Sequence, residues 1–206
     1  MKKFLFILSL LLFTSALYAQ NIKLPTPNKS GGKPLMTVLN ERKSSRDFSE
    51  KILPNQQLSN LLWAAWGYNR ADKRTAPSSQ NKQEMDIYVA LASGCYLYDA
   101  RKNELVLVVK QDLREKTGKQ DFVKNAPVNI IFVADKRKMA QQDEQSMLQT
   151  AYINTGFISQ NIYLYCASEG LATVIRAWVD KAALALAMKL HDQQEIIVCQ
   201  TVGYPK

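Results

Sequence analysis

The segment 143–168 constrains the fold most, because apolar and small residues recur in it at helical spacing. Met147, Ala151, Ile158 and Tyr165 are members of this series, and Gly170 follows it as a stop signal. An apolar strand-like run at 128–134 precedes the helix, and another at 171–179 follows it. Strands on both sides of one long helix predict a mixed α+β domain.

The rest of the chain fits the same class. A short helix is predicted at 34–41, where proline occupies the first turn, and a longer helix begins at Pro54. We expect a strand at 86–91, a hairpin from 95–98 to 104–109, a helix at 181–190 and a last strand at 195–202. Residues 70–83 read as a polar loop. Residues 20–33, rich in proline and glycine, are interpreted as a linker, which leaves 34–206 as the domain.

The first nineteen residues have the layout of a bacterial secretory signal peptide. Lys2 and Lys3 precede an apolar run from Phe4 to Phe13, and small and polar residues then lead to Ala19, the expected cleavage position. The alternative is an uncleaved anchor, but the run is shorter than the ~20 residues that a membrane span needs. We therefore expect export, to the periplasm, and no membrane span in the mature chain.

Composition excludes several kinds of chemistry. The chain has one histidine, His191, in a polar stretch typical of an exposed helix end, which argues against histidine-based nucleophilic catalysis. Its three cysteines, Cys95, Cys166 and Cys199, are too widely spaced for a zinc site and are expected to be buried. The net charge of +9 favours anionic ligands but is too small to indicate nucleic acid. We predict no metal site and no nucleic-acid partner.

The stretch 41–48 is the most informative for function. Arg42, Lys43 and Arg46 lie among the hydroxyls of Ser44 and Ser45. Guanidinium forks and hydroxyl groups are what a phosphate anion requires. Taken alone, the same run would also suit an ordinary solvated charged surface.

Five motifs occur in order along the chain: Arg42-Lys43-Ser44-Ser45-Arg46-Asp47-Phe48, Arg74-Thr75-Ala76-Pro77-Ser78-Ser79-Gln80-Asn81-Lys82-Gln83, the helix segment 154–164, its exit Glu169-Gly170-Leu171-Ala172-Thr173, and the ending Val202-Gly203-Tyr204-Pro205-Lys206. Together, in this order, they resemble the nitroreductase family. The Arg-Thr-Ala-Pro-Ser form is closest to the azoline-dehydrogenase-like branch (SagB/ThcOx). The resemblance implies a nitroreductase-like mixed sheet flanked by helices, with FMN bound at a homodimer interface.

The resemblance also implies roles for particular residues. Arg42, Lys43, Ser44 and Lys206 match positions at the FMN phosphate, and Arg46 matches the residue beside flavin N1 and O2. Ser78 and Asn81 belong to the loop that meets the ring, where an amide such as that of Asn81 offers a donor and an acceptor together. Backbone groups of Ala177 and Trp178 are the candidates for flavin N5, with Val174 and Arg176 as alternatives.

Gly156 interrupts the long helix at a cost of about 1 kcal/mol relative to alanine. Close helix approach at a dimer interface would offset that cost, whereas packing within one protomer is the alternative. The apolar spacing of the 143–168 helix also suits a dimer.

The implied reaction needs no catalytic side chain, since the flavin carries the redox chemistry. We expect a ping-pong transfer of hydride or electrons to a small nitro-, quinone- or azoline-like substrate. NAD(P)H, the donor used in this family, conflicts with export, so the donor differs, the protein delivers electrons outward, or the signal prediction is wrong. Other candidate functions are a non-catalytic flavin carrier or storage protein, and an exported basic module that binds an anionic ligand.

Overall fold

A computed structural model of the chain describes residues 20–139 and 143–206. The predicted signal peptide at 1–19 lies outside the described residues. Among the helices within them, none is long and apolar enough to cross a membrane.

The centre of the molecule is a seven-stranded sheet in the order β1-β4-β3-β2-β5-β7-β6. Every pairing is antiparallel. The strands are β1 (Ile22–Lys23), β2 (Met85–Leu91), β3 (Gly94–Asp99), β4 (Glu104–Val109), β5 (Val128–Asp135), β6 (Ala172–Arg176) and β7 (Gln194–Gly203).

The α+β class is confirmed, but the expectation of a mixed sheet is wrong for the described strands. Tight connections join β2, β3 and β4 into a meander, so neighbouring strands must alternate in direction. The strand β5 enters beside β2 in the opposite direction, and β7 then lies between β5 and β6.

Helices cover both faces of the sheet. The helices are α1 (Leu35–Glu41), α2 (Asn55–Trp66), α3 (Glu144–Glu169) and α4 (Lys181–Met188). Side chains of α2 and α3 pack with Ile130 and Phe132 of β5, whereas α4 packs with Ile131 and Val133 of the same strand. This alternation follows from the two-residue period of a strand, and it makes β5, buried along its whole length, the centre of the core.

The long helix begins and ends as its sequence indicates. The Asp143 side chain accepts a hydrogen bond from the Ser146 N–H, and Gly170 adopts a left-handed conformation with φ 69° just after the last turn. An aspartate at the start and a glycine at the end satisfy backbone groups that the helix leaves unpaired. The bounds of α3 therefore agree with the predicted 143–168 to within one residue.

The predicted linker at 20–33 is packed against the domain. Ile22 and Lys23 pair with β4, Leu24 is buried, and the Ser59 hydroxyl donates to the Pro25 carbonyl. An edge strand of two residues has too few positions for an alternating pattern to be visible, and Pro25 follows two residues after its end. The proline and glycine content favoured a linker, but these contacts hold residues 22–25 against the domain.

All three cysteines are free and buried, which confirms the expected burial. Burial raises the pKa of Cys95 to about 12 and that of Cys199 to about 12, and it raises the pKa of Cys166 as well. Because the thiolate is the reactive form, we expect none of them to react with a thiol reagent at pH 8 in the folded protein. A reagent that releases a coloured thiolate when it reacts with a cysteine checks this by absorbance, and denatured protein is the control. Rapid labelling of one thiol in the native state would contradict the prediction.

Candidate functional site

The segment 42–46 lies between helix α3 and strand β6. The Ser45 N–H donates to the Thr173 carbonyl over 2.9 Å, which anchors the segment to the free edge of β6. The Ser44 and Tyr163 hydroxyls are 2.8 Å apart, and the Tyr163 hydroxyl accepts a hydrogen bond from the Ile175 N–H over 3.1 Å. Tyr163 on α3 therefore connects the serine of the basic motif to β6.

Three cations of this segment have no carboxylate partner within the described residues. The Arg42 guanidinium lies 5.3 Å from the centre of the Tyr163 ring, and Lys43 and Arg46 are exposed. None of the three takes part in an ion pair in the described structure. Clustered positive charge without a protein counter-ion is attracted to an anion.

The C-terminus adds to this cluster. Phe48 bridges to Pro205, and the Ser49 N–H donates to the Tyr204 carbonyl over 2.9 Å. These contacts hold the end of the chain at Lys206, which is exposed, beside residues 47–49, directly after the basic segment. The sequence places these residues about 160 positions apart, and the fold brings them together.

A cavity of about 440 Å³ adjoins the segment. Lys43, Ser45 and Pro205 line it, whereas Arg42 and Ser44 contact Tyr163. The other lining residues come mainly from the end of α3 and the start of β6: Lys33, Glu41, Tyr163, Cys166, Ala167, Gly170, Leu171, Ala172 and Thr173. Lys33 and Glu41 form an ion pair of 2.6 Å, so Lys43 is the lining cation without a partner.

The end of β6 presents free backbone donors. Val174 and Arg176 pair with β7, and the Ile175 N–H on the opposite edge is taken by Tyr163. The next residues, Ala177 and Trp178, are exposed, and among the described residues their N–H groups have no partner. The Trp178 side chain is 67% exposed. Of the four residues considered for a backbone contact to flavin N5, Ala177 and Trp178 are therefore the ones whose N–H groups have no partner among the described residues, whereas Val174 and Arg176 pair with β7.

The second motif forms a loop with its own internal hydrogen bonds. The Ser78 hydroxyl accepts from the Gln83 N–H over 3.1 Å. The Asn81 side chain donates to the Asp72 carbonyl over 3.2 Å and accepts from the Gln83 side chain over 3.1 Å. Gln80, Asn81 and Gln83 all have positive φ values, 51°, 57° and 49°. Such conformations are uncommon away from glycine and are often found at ligand sites.

The two motifs do not meet within one protomer. Pro77, Ser78 and Ser79 lie against α3 near Asn154, while Ser44 lies against the same helix at Tyr163. Nine residues separate these points, which is about 14 Å along a helix axis. Each motif lines a different cavity.

Helix α3 also carries an exposed apolar stripe beside the second motif. Tyr152 is 50% exposed, Ile153 60% and Phe157 45%. Gly156 lies on the same face, and a Cβ placed there would have no neighbour within 4 Å. The alternative that Gly156 is required by packing within the protomer is therefore not supported, and the stripe is available to another molecule.

Sequence reasoning missed Tyr163 and the buried side chain of Arg176, a residue considered only for its backbone group. Arg176 is only 4% exposed, and it donates to the Thr117 carbonyl over 2.6 Å and to the Asn129 side-chain oxygen over 2.9 Å. Burial lowers the pKa of this guanidinium. Neither residue carries a sequence signal, because a tyrosine on a helix face and an arginine in a strand acquire their partners only in the fold. Within 20–139 and 143–206, no three histidine, cysteine, aspartate or glutamate side chains are grouped as metal ligands.

Comparison with known proteins identifies the family. The nitroreductase family model matches residues 39–204. A solved structure from Ralstonia eutropha JMP134, described as a nitroreductase, is 42% identical with a TM-score of 0.86, covering 91% of this chain and 90% of that one.

Two further relatives are more distant. A Methanocaldococcus jannaschii protein named as a nitroreductase is 26% identical over 68% of this chain and 76% of its own length. A Staphylococcus epidermidis structure described as an NAD(P)H:FMN oxidoreductase shares the fold at 17% identity, with a TM-score of 0.63 over 87% of this chain and 91% of that one. The extent of the family match shows that this chain belongs to the nitroreductase family.

Proposed function

We propose that the protein is an FMN-dependent oxidoreductase that moves hydride or electrons between a donor and a small organic substrate of nitro-, quinone- or azoline-like chemistry. The observation that carries this proposal is the basic segment 42–46, whose cations lack carboxylate partners in the described structure. Family membership and the FMN oxidoreductase named among the structural relatives support the same conclusion. The azoline-dehydrogenase-like branch remains a prediction from the Arg-Thr-Ala-Pro-Ser sequence.

The residues present fit a phosphate-bearing flavin. Arg42, Ser44 and Lys206 would hold the phosphate, since charge-assisted hydrogen bonds to phosphate are among the strongest that proteins make. Lys43 would add positive charge from the neighbouring cavity that it lines. The unpartnered N–H groups of Ala177 and Trp178 would reach the flavin ring at N5. FMN, when bound, supplies the redox chemistry.

Arg46 and the second motif would act on the pyrimidine part of the ring. Arg46 is exposed and unpaired among the described residues, so its charge is available to an anionic ring edge. Asn81 already has one partner at each end of its amide, and each end retains capacity for a second hydrogen bond. Ser78 would contact the ring from the same loop.

A homodimer would complete the site. The two motifs lie about 14 Å apart along α3 in one protomer, and the exposed apolar stripe lies beside the second motif. A two-fold contact through this stripe would bring the first motif of one protomer toward the second motif of its partner. Residues 1–19 are proposed to direct the chain to the periplasm, where a donor other than NAD(P)H would be needed; NAD(P)H is the donor if the protein stays inside the cell.

A visible spectrum of the purified protein tests the proposal. Bound FMN gives yellow protein, which an added donor bleaches and a nitroaromatic or quinone reoxidises. Colourless protein that binds phosphate would favour an anion-binding module, and flavin that is bound but never reoxidised by an organic acceptor would favour a carrier. Either result would overturn the proposed activity.

Arg46→Ala is expected to lower the midpoint potential of the bound flavin. Reduction places negative charge near N1, so loss of a nearby cation destabilises the reduced form more than the oxidised form. For a two-electron couple about 30 mV corresponds to 1.4 kcal/mol, so a fall of a few tens of millivolts is the expected scale. A dye-equilibrated redox titration with excess FMN measures it. An unchanged potential would mean that Arg46 does not lie beside the ring.

A further inference from the structure

A second cavity, of about 460 Å³, lies beside the loop that contains Asn81. Its lining includes three cations, Arg70, Lys73 and Arg74, and no carboxylate side chain. The remaining lining residues are polar or small: Asn69, Thr75, Ala76, Pro77, Ser78, Gln80 and Asn81. The family motif accounts for Ser78 and Asn81 but gives no role to Arg70 or Lys73.

The positive charge here is largely uncompensated by the protein. Arg70 and Arg74 form no ion pair in the described part of the chain, and Lys73 has a single contact of 3.4 Å with the exposed Asp72. Arg101 adds a further guanidinium, since Arg74 and Arg101 each lie 3.9 Å from the centre of the Tyr68 ring. Burial lowers the pKa of Arg74, and the charge of Arg101 also lowers it, whereas Tyr68, Tyr98 and Asp86 act in the opposite direction.

The cavity is held in a fixed shape. The Arg74 guanidinium donates to the Gln83 side-chain oxygen over 2.8 Å and to the Trp66 carbonyl over 2.8 Å. The backbone on the other side is set by the left-handed conformations of Gln80 and Asn81. Lys73 is half-buried and Arg70 is exposed, so both side chains are accessible to a ligand.

We propose that this cavity binds an anionic group, a carboxylate, sulfonate or phosphate, of one of the two substrates. The inference rests on the proposed function, because Ser78 and Asn81 belong both to the cavity and to the predicted flavin contacts. A substrate held here by its anionic end would have its reactive end beside the flavin ring. The protein would therefore prefer acidic organic substrates to neutral ones of the same shape.

This site is separate from the one proposed for the FMN phosphate. The phosphate residues Arg42 and Ser44 contact Tyr163, whereas the second cavity lies at the end of the loop that packs near Asn154. Removing Lys73 should therefore change substrate preference without releasing FMN. That difference separates a substrate subsite from a second part of the cofactor site.

The test uses matched charged and neutral substrates with the FMN-loaded protein. For the acceptor, flavin reduced with dithionite is reoxidised by 4-nitrobenzoate or 4-nitrobenzamide in a stopped-flow instrument. For the donor, oxidised flavin is reduced by NADH or by 1-benzyl-1,4-dihydronicotinamide, which lacks phosphates. The two arms distinguish an anionic acceptor from the phosphates of a donor. Lys73→Gln and Arg70→Gln are compared with Lys23→Gln, which removes the same charge from the exposed β1 strand.

With the wild type, the charged substrate of at least one of the two pairs should react faster than its neutral counterpart. Lys73→Gln should reduce this ratio of rates about five- to twentyfold. Arg70→Gln should act in the same direction, and Lys23→Gln should not. Equal treatment of charged and neutral substrates by the wild type would overturn the inference, as would a preference that survives both cavity variants. Loss of FMN from Lys73→Gln would assign the cavity to the cofactor. Wild-type protein that binds no flavin would refute the proposed function itself.

Discussion

Replacing Phe157 by glutamate is expected to dissociate the proposed homodimer into monomers and to abolish the proposed FMN binding. Phe157 lies on the exposed stripe of α3 with Tyr152 and Ile153, beside Gly156, where no side chain limits close approach. A two-fold interface contains each substitution twice, so two uncompensated carboxylates would be buried. An uncompensated buried charge costs roughly 3–5 kcal/mol, so the dimer dissociation constant should rise at least about a thousandfold.

Sedimentation velocity at micromolar concentration measures the change, and absorbance of the sedimenting species shows whether flavin stays bound. Leu186→Glu is the matched control, because Leu186 is 81% exposed on α4, which covers the opposite face of the sheet. We expect it to remain dimeric and yellow. A Phe157→Glu monomer that retains FMN would show that one protomer holds the cofactor alone, contrary to the proposed shared site.

The features of the fold that depend on local sequence were predictable. Asp143 and Gly170 define the ends of α3 because capping depends on residues within one turn of the helix end. The strand β5 was predictable because it is mostly apolar, which reflects burial on both faces. The tight turn between β3 and β4 is equally local.

Features that depend on distant parts of the chain were not predictable. The strand β1 is defined by pairing with β4 some eighty residues later, and its two residues carry no periodic signal. Strand direction in the sheet depends on where β5 and β7 insert, which no local pattern records. The expectation of a mixed sheet came from the family resemblance, and it was wrong because the positions at which distant strands insert set their directions.

The candidate site shows the same division. The residue types of the basic segment 42–46 indicate an anion site on chemical grounds alone. Lys206 from the C-terminus was expected there only from the family resemblance, and Tyr163 from α3 becomes part of the site only when the fold brings it there. The sequence places Arg74 in a polar loop and Arg101 in a hairpin turn, and it does not show that both lie over the Tyr68 ring, because that is a tertiary contact.

Arg42→Ala is expected to weaken FMN binding about ten- to a hundredfold. The substitution removes a guanidinium that is stacked on Tyr163 and unpaired among the described residues, and a charge-assisted hydrogen bond of this kind contributes roughly 1.5–3 kcal/mol. Fluorescence titration of the apoprotein with FMN measures the affinity. The same titration with riboflavin, which lacks the phosphate, should show little difference between variant and wild type, because the lost contact is to the phosphate.

Lys51→Ala provides the control for general loss of positive charge. Lys51 is an exposed cation outside the basic segment 42–46. Its ammonium group lies 4.3 Å from the centre of the Tyr204 ring, near the C-terminus. If charge in this region acts only at long range, Lys51→Ala and Arg42→Ala will weaken FMN binding equally, and added salt will abolish both effects. If Arg42 contacts the phosphate, its substitution alone causes a large loss that persists in salt. Equal loss of riboflavin and FMN affinity would instead mean that Arg42 supports the ring pocket through Tyr163, and the phosphate would have to be assigned to Lys43 and Lys206.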